Sequence, residues 1–219
     1  MPRMRRVSPV YLCALLVLVF CGPAIAAPEV GAIARTWQLD FEFYDPQRIT
    51  VPLAGEAAPA TYWYLFYKVT NNTGRDVEFF PSFRLVTDTL DVVVGGEQIG
   101  TQVYDAIAAR HDTETAFFAP PSKVTGPLLQ GEENARVSAA VFRMFDLEAS
   151  GFSIYVSGLS GDVERVTNPA ASPAPRGGSA EPEAFILRRT LALHYDLPGD
   201  PVTRAEATAV RRNREWVMR

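Results

Sequence analysis

Cysteine and histidine are almost absent from this chain: of 219 residues, two are Cys and two are His. Both cysteines, Cys13 and Cys21, fall in an N-terminal apolar stretch, so the rest of the chain has no thiol chemistry and no disulfide to staple it. A zinc site needs three or four ligands at recognisable spacing, and neither His111 nor His194 has such partners nearby. The apolar run Tyr11–Phe20 is 10 residues long, whereas a membrane-spanning helix needs about 20. A Gly-x-Ser-x-Gly elbow is missing, and so is a phosphate-binding glycine loop. Gly158-Leu-Ser160-Gly161 leads a strand into a turn, not into a helix. No catalytic residue, metal ligand or cofactor is assigned from the sequence.

The N-terminus carries Arg3, Arg5 and Arg6, then the short apolar run, then Gly22–Ala27 with Ala24 and Ala26 spaced as a cleavage site. This is the pattern of a secretory signal peptide over residues 1–26. It implies an exported protein, periplasmic or extracellular, with no transmembrane span after cleavage. Phe20 before Cys21 disfavours a lipoprotein signal, which wants a small residue there. Loss of the three signal arginines shifts the formal charge from −4 to −7. Residues 203–219 hold five arginines against Glu206 and Glu215, so the body before them is more acidic still. An acidic body argues against nucleic acid as a partner, because phosphate binding needs a positive footprint.

Beyond the signal the dominant period is two. Trp37, Leu39, Phe41 and Phe43 alternate with polar residues, Asp45-Pro46 ends that run, and Arg48–Leu53 reads as a short return strand. Thr61–Thr70 is aromatic and β-branched on both faces, as suits a central strand covered on both sides. Asn71–Arg75 has turn chemistry, and Asp76–Thr87 alternates again, which predicts a β-hairpin over 61–87 with Pro81 at an edge or bulge. Ile99, Val103 and Ile107 predict a short flanking helix over 98–110. Strand signals resume at Arg136–Phe145, Phe152–Gly158 and Ala184–Leu197. Residues 168–183 hold four prolines and two glycines and read as a flexible loop. Thr203-Arg-Ala-Glu206 has capping-box spacing, and Ala205, Ala209, Val210, Trp216 and Val217 form a thin apolar stripe. Together they predict a basic C-terminal helix over 201–219. The expected organisation is a signal peptide (1–26), a β-sandwich domain (27–200) and that helix. Roughly eight short strands make it all-β, a two-sheet sandwich.

Two groups of residues are candidates for binding. Tyr62, Tyr64 and Phe66 share one side of a strand and are a stacking platform if exposed, or core if not. Arg211, Arg212, Arg214 and Trp216 either dock an envelope protein or wall polymer, or fold back on the acidic body with Trp216 as anchor. His111 with Asp112 and Glu114 is a polar loop cluster, and His194 belongs to the wet face of its strand.

Tyr64–Val77 followed by Phe80-Pro-Ser-Phe83, with Gly131-Glu132 leading to Val141-Phe142, resembles a pattern found in secreted bacterial domains of unknown function. The resemblance implies an immunoglobulin-like sandwich and carries over no site residues. The expected function is a non-enzymatic envelope interaction module. The alternatives are a carbohydrate- or peptide-binding module using exposed aromatics, and a hydrolase with a loop carboxylate and histidine site.

Overall fold

The computed structural model describes residues 37–111, 118–168 and 184–219, which belong to one compact unit. The protein is mostly β-strand, arranged in antiparallel sheets. The first sheet is built on β3 (Ala60–Asn71), with β8 (Gly131–Arg143) along one edge. Its other edge is shared by β1 (Asp40–Phe43) and β2 (Gln47–Val51) in succession. Between the pairs Phe43–Tyr67 and Gln47–Tyr64, four steps along the edge strand match three along β3. That slip is a β-bulge at Tyr44–Pro46, where a proline without an N–H is tolerated on an edge. Asp45-Pro46 therefore does not reverse the chain: β2 continues the direction of β1 and is no return strand.

The second sheet is β5 (Ser82–Thr87), β9 (Gly151–Ser157), β11 (Ala184–Asp196) and β12 (Val210–Met218), paired in that spatial order. The short β6 (Val92–Val94) borders β5. β10 (Val163–Thr167) pairs with the first half of β11. Arg188 exchanges backbone hydrogen bonds with Arg219 on one edge and faces Val163 on the other, so β10 follows β9 along the same edge of β11. A separate pair joins β4 (Val77–Phe79) to β7 (Gly126–Leu128).

The hairpin expected over 61–87 does not form. The turn itself is present: Gly74 takes a φ of +86°, and the Asn71 amide donates to the carbonyls of Arg75 and Leu128. Both edges of β3 are already paired, however, so the chain leaving the turn crosses to the second sheet and becomes β5.

With no disulfide among the described residues, the two sheets are held by interleaved rings. Phe41 and Tyr67 of the first sheet meet Phe83 of the second at centroid distances of 6.5 and 5.0 Å. Trp63 meets Phe152 at 5.6 Å, and Phe152 stacks on Tyr195 at 5.3 Å. Such pairs add about 0.5–1.5 kcal/mol each beyond the area they bury. The alternate side chains of β3 form a second core outside the sandwich. There Tyr62, Tyr64 and Phe66 pack with Val103, Tyr104 and Ile107 of the helix Thr101–Arg110. The flanking helix and the two-sided burial of β3 are as the sequence predicts.

The C-terminal helix is a correction. Only Pro201–Arg204 is helical, capped by Asp200, whose carboxylate accepts from the Val202 and Thr203 N–H groups while the Thr203 hydroxyl accepts from the Asp200 N–H. Thr203 thus closes the first turn, where the sequence suggests it opens one. Residues 210–218 are strand β12, because the free edge of β11 offers a ladder from Arg189 to Asp196. That tertiary pairing outweighs a weak helical stripe.

Candidate functional site

The sequence-predicted site residues are occupied in holding the fold. Tyr62, Tyr64 and Phe66 are buried, at 7%, 1% and 4% exposure, and present no platform. The Tyr64 hydroxyl reaches a rim. It donates to Gln47 Oε1 at 3.0 Å, lies 3.0 Å from His111 Nε2, and accepts from Arg110 at 3.4 Å. His111 stacks on Phe66 with centroids 4.3 Å apart, while Asp112 and Glu114 lie outside the described residues.

On β12 the basic side chains are engaged by their own domain. Arg211 pairs with Asp45 at 3.3 Å and lies over Phe43, and Arg214 lies over the same ring at 5.5 Å. Arg212 reaches Asp196 at 3.6 Å. Trp216 packs on the core beneath Arg189, whose guanidinium sits 4.5 Å above the indole and donates to Asp162 and Gln38. Folding back on the acidic body, with Trp216 as anchor, is what happens, though by a strand instead of a helix. His194 is more enclosed than its strand position suggests. Its Nδ1 lies 2.7 Å from the Ser153 hydroxyl and its Nε2 3.1 Å from Glu215.

Clefts near the bulge follow the same pattern. One of about 470 Å³ is lined by Tyr44–Arg48, Trp63, Arg110, Ala207 and Thr208. Its Arg48 donates to the Ala207 carbonyl and covers Trp63, and its Arg110 donates to the Arg48 carbonyl. Burial holds the Arg48 guanidinium below its usual pKa, with Glu206 opposing. Asp45 is taken by Arg211 and by the Tyr195 hydroxyl, whose pKa burial pushes up, with the Asp45 charge adding to it. The polar groups of this cleft are bonded to one another.

The outer face of the second sheet differs. Alternation in β5, β9 and β11 turns Ser82, Arg84, Tyr155, Ser157, Arg188 and Thr190 outward, and with Arg219 they line a cleft of about 280 Å³. No Asp or Glu side chain lines it. The Arg219 guanidinium stacks 3.9 Å from the centre of the Tyr155 ring, which fixes one cation in place. Arg84 sits opposite Tyr155 on the neighbouring strand, and none of Arg84, Arg188 and Arg219 is in an ion pair with a described residue. Chemically the arrangement is a cluster of guanidiniums, one of them held over Tyr155, with the Ser82 hydroxyl beside them, suited to an oxyanion. Sequence reasoning missed it, although Ser82-x-Arg84 and Arg188-x-Thr190 at alternate strand positions were its signal. Among the described residues no group of three His, Cys, Asp or Glu side chains is placed to hold a metal, and no helix is long and apolar enough to cross a membrane. Compared with protein-family models, with curated proteins and with solved structures, the chain matches none.

Proposed function

We propose that this chain is an exported, non-enzymatic interaction module of the cell envelope, and that it meets its partner through the outer face of the second sheet. The observation that carries this is the contrast between arginines held in ion pairs and the Arg84–Arg188–Arg219 cluster, which is in none with a described residue. Export rests on the basic, apolar and small-residue pattern of residues 1–26. The strand order supports the immunoglobulin-like form of sandwich. β3 lies beside β8, β5 beside β9 and β9 beside β11, as strands B and E, C and F, and F and G do in that fold. A fold of this kind leaves function to the surface it displays.

Truncating residues 203–219 is no test of binding, since it removes a strand of the sheet. The test is capture from an envelope fraction by immobilised residues 27–219, wild type beside the double variant Arg84→Glu/Arg188→Glu. The wild type retains a component that the variant loses, while Arg212→Glu, on a residue already paired with Asp196, retains it. Equal capture by all three proteins refutes the assignment of this face.

A further inference from the structure

We infer that the cleft between Ser82 and Arg219 takes the sulfate or phosphate groups of an anionic polymer, an inference that rests on the reading above and gives it a ligand class. The argument starts from charge. The chain is acidic overall, at −4, and its other arginines are largely committed: Arg189 to Asp162, Arg211 to Asp45, Arg212 to Asp196, and Arg136 and Arg204 to backbone carbonyls. Three guanidiniums that are in no ion pair with a described residue, gathered where no Asp or Glu side chain lines the cleft, repel one another, and that repulsion is relieved when an anion enters.

Geometry narrows the class. A guanidinium presents paired N–H groups that match two oxygens of a carboxylate, sulfate or phosphate. Here Arg84 and Arg188 come from β5 and β11 and Arg219 directly follows β12, and the Ser82 hydroxyl lies among them, while the Ser157 and Thr190 hydroxyls donate to the Ser82 and Arg188 carbonyls. A planar carboxylate satisfies donors in one plane, whereas a tetrahedral group offers oxygens to donors converging from several sides. At about 280 Å³ the cleft lies just below the range for small-molecule sites, about 300–1,000 Å³, so it has room for no more than one unit of a chain. The same face continues beyond it. Arg165 pairs with Ile186 two positions along from the Val163–Arg188 pair, so all four residues point the same way. Val163 and Ile186 are exposed there, leaving an open cationic and apolar track for the next units.

Heparin and long-chain polyphosphate are the probes, with neutral dextran and phosphatidylglycerol vesicles as the contrasting arms, each titrated against residues 27–219 from about 50 to about 200 mM salt. Binding to the two polyanions falls with salt at a log–log slope of about −2 to −3, since each neutralised contact contributes on the order of 0.7–0.9. In Arg84→Gln/Arg188→Gln the affinity drops about tenfold or more at low salt and the slope shrinks by about 1.5, whereas Arg212→Gln leaves both unchanged. Thermal melts of both variants verify that they fold. Equal binding by wild type and the double variant, or binding of dextran at the same strength, overturns the inference. Vesicle binding without polyanion binding overturns it in favour of a lipid surface. A wild type that captures an envelope component through Arg84 and Arg188 yet ignores both polyanions refutes the ligand class alone. One that does neither refutes the face as well.

Discussion

The two sheets turn unlike faces outward. The outer face of the first sheet carries Ile49, Val51, Tyr62, Tyr64, Phe66, Ala139 and Val141, and the helix Thr101–Arg110 lies over it. The outer face of the second carries Ser82, Arg84, Ser153, Tyr155, Ser157, Thr190 and His194, and it supplies no residue to either of the two cores. A sheet needs one apolar face to be part of a sandwich. A second apolar face must be covered, and a second polar one is free for recognition. In this protein the covered face contributes to the core, and the bare one is the face proposed for recognition.

Mutations on the two faces should separate those roles. Phe66→Ala, under the helix, removes a 4% exposed ring stacked on His111 and Phe118, and should cost about 3–5 kcal/mol in chemical denaturation. Tyr64→Phe keeps the ring and deletes only the rim hydroxyl, leaving Gln47, Arg110 and His111 to find other partners. A loss of about 0.5–1.5 kcal/mol is expected. A cost as large as that of Phe66→Ala would show that the rim network, and not burial, holds the covered face together.

At the end of the bare sheet, Asp88 accepts from the Ser150 N–H at 3.1 Å and from its hydroxyl at 2.5 Å. Burial raises its carboxyl pKa, but the Ser150 and Gly151 hydrogen bonds outweigh that and hold it below its ordinary value of 3.8. A depressed folded-state pKa stabilises the fold above the unfolded value, and the gain is lost as pH falls through the folded one. Asp88→Asn should therefore cost about 1 kcal/mol at neutral pH, discounted because the site is exposed. Melts at successive pH values should show the gap to wild type closing below about pH 4. The smallest stability effect is Arg84→Gln, within about 0.5 kcal/mol, although the same change weakens polyanion binding. A large destabilisation there would make Arg84 a structural residue and undo the contrast between the faces.

Much of this was legible in the sequence because burial writes itself into period. β3 reads as covered on both sides since Tyr62 to Tyr67 leaves no polar face, and it is. Val103 and Ile107 announce the helix that covers it. What failed was pairing. Asn71–Gly74 encodes a turn but not the strand it returns to, and Asp45-Pro46 encodes a break that turned out to be a bulge. The last strand was misread because Arg211 to Trp216 has no strong local preference, and the edge of β11 that decides its conformation lies about twenty residues earlier in the chain. The site was missed for a related reason. Arg84, Tyr155, Arg188 and Arg219 are ordinary wet-face residues one at a time, and only the lateral order of β5, β9, β11 and β12 makes them neighbours.

The clasp around Trp37 and Asp45 sets the tempo at which the molecule comes together. The Trp37 carbonyl is held by Gly161 and Ser160, Gln38 by Arg189, Asp45 by Tyr195 and Arg211, and Arg48 reaches Ala207, across sequence separations of up to 159 residues. The opening strand pairs locally with β3, but these clasp contacts have no partner until the second half of the chain is in place. Such long loops must be ordered before their contacts are gained, which puts folding in the millisecond-to-second range common to all-β domains. Until β8 arrives, β3 waits with one edge bare, and that interval is when the chain is most exposed to aggregation.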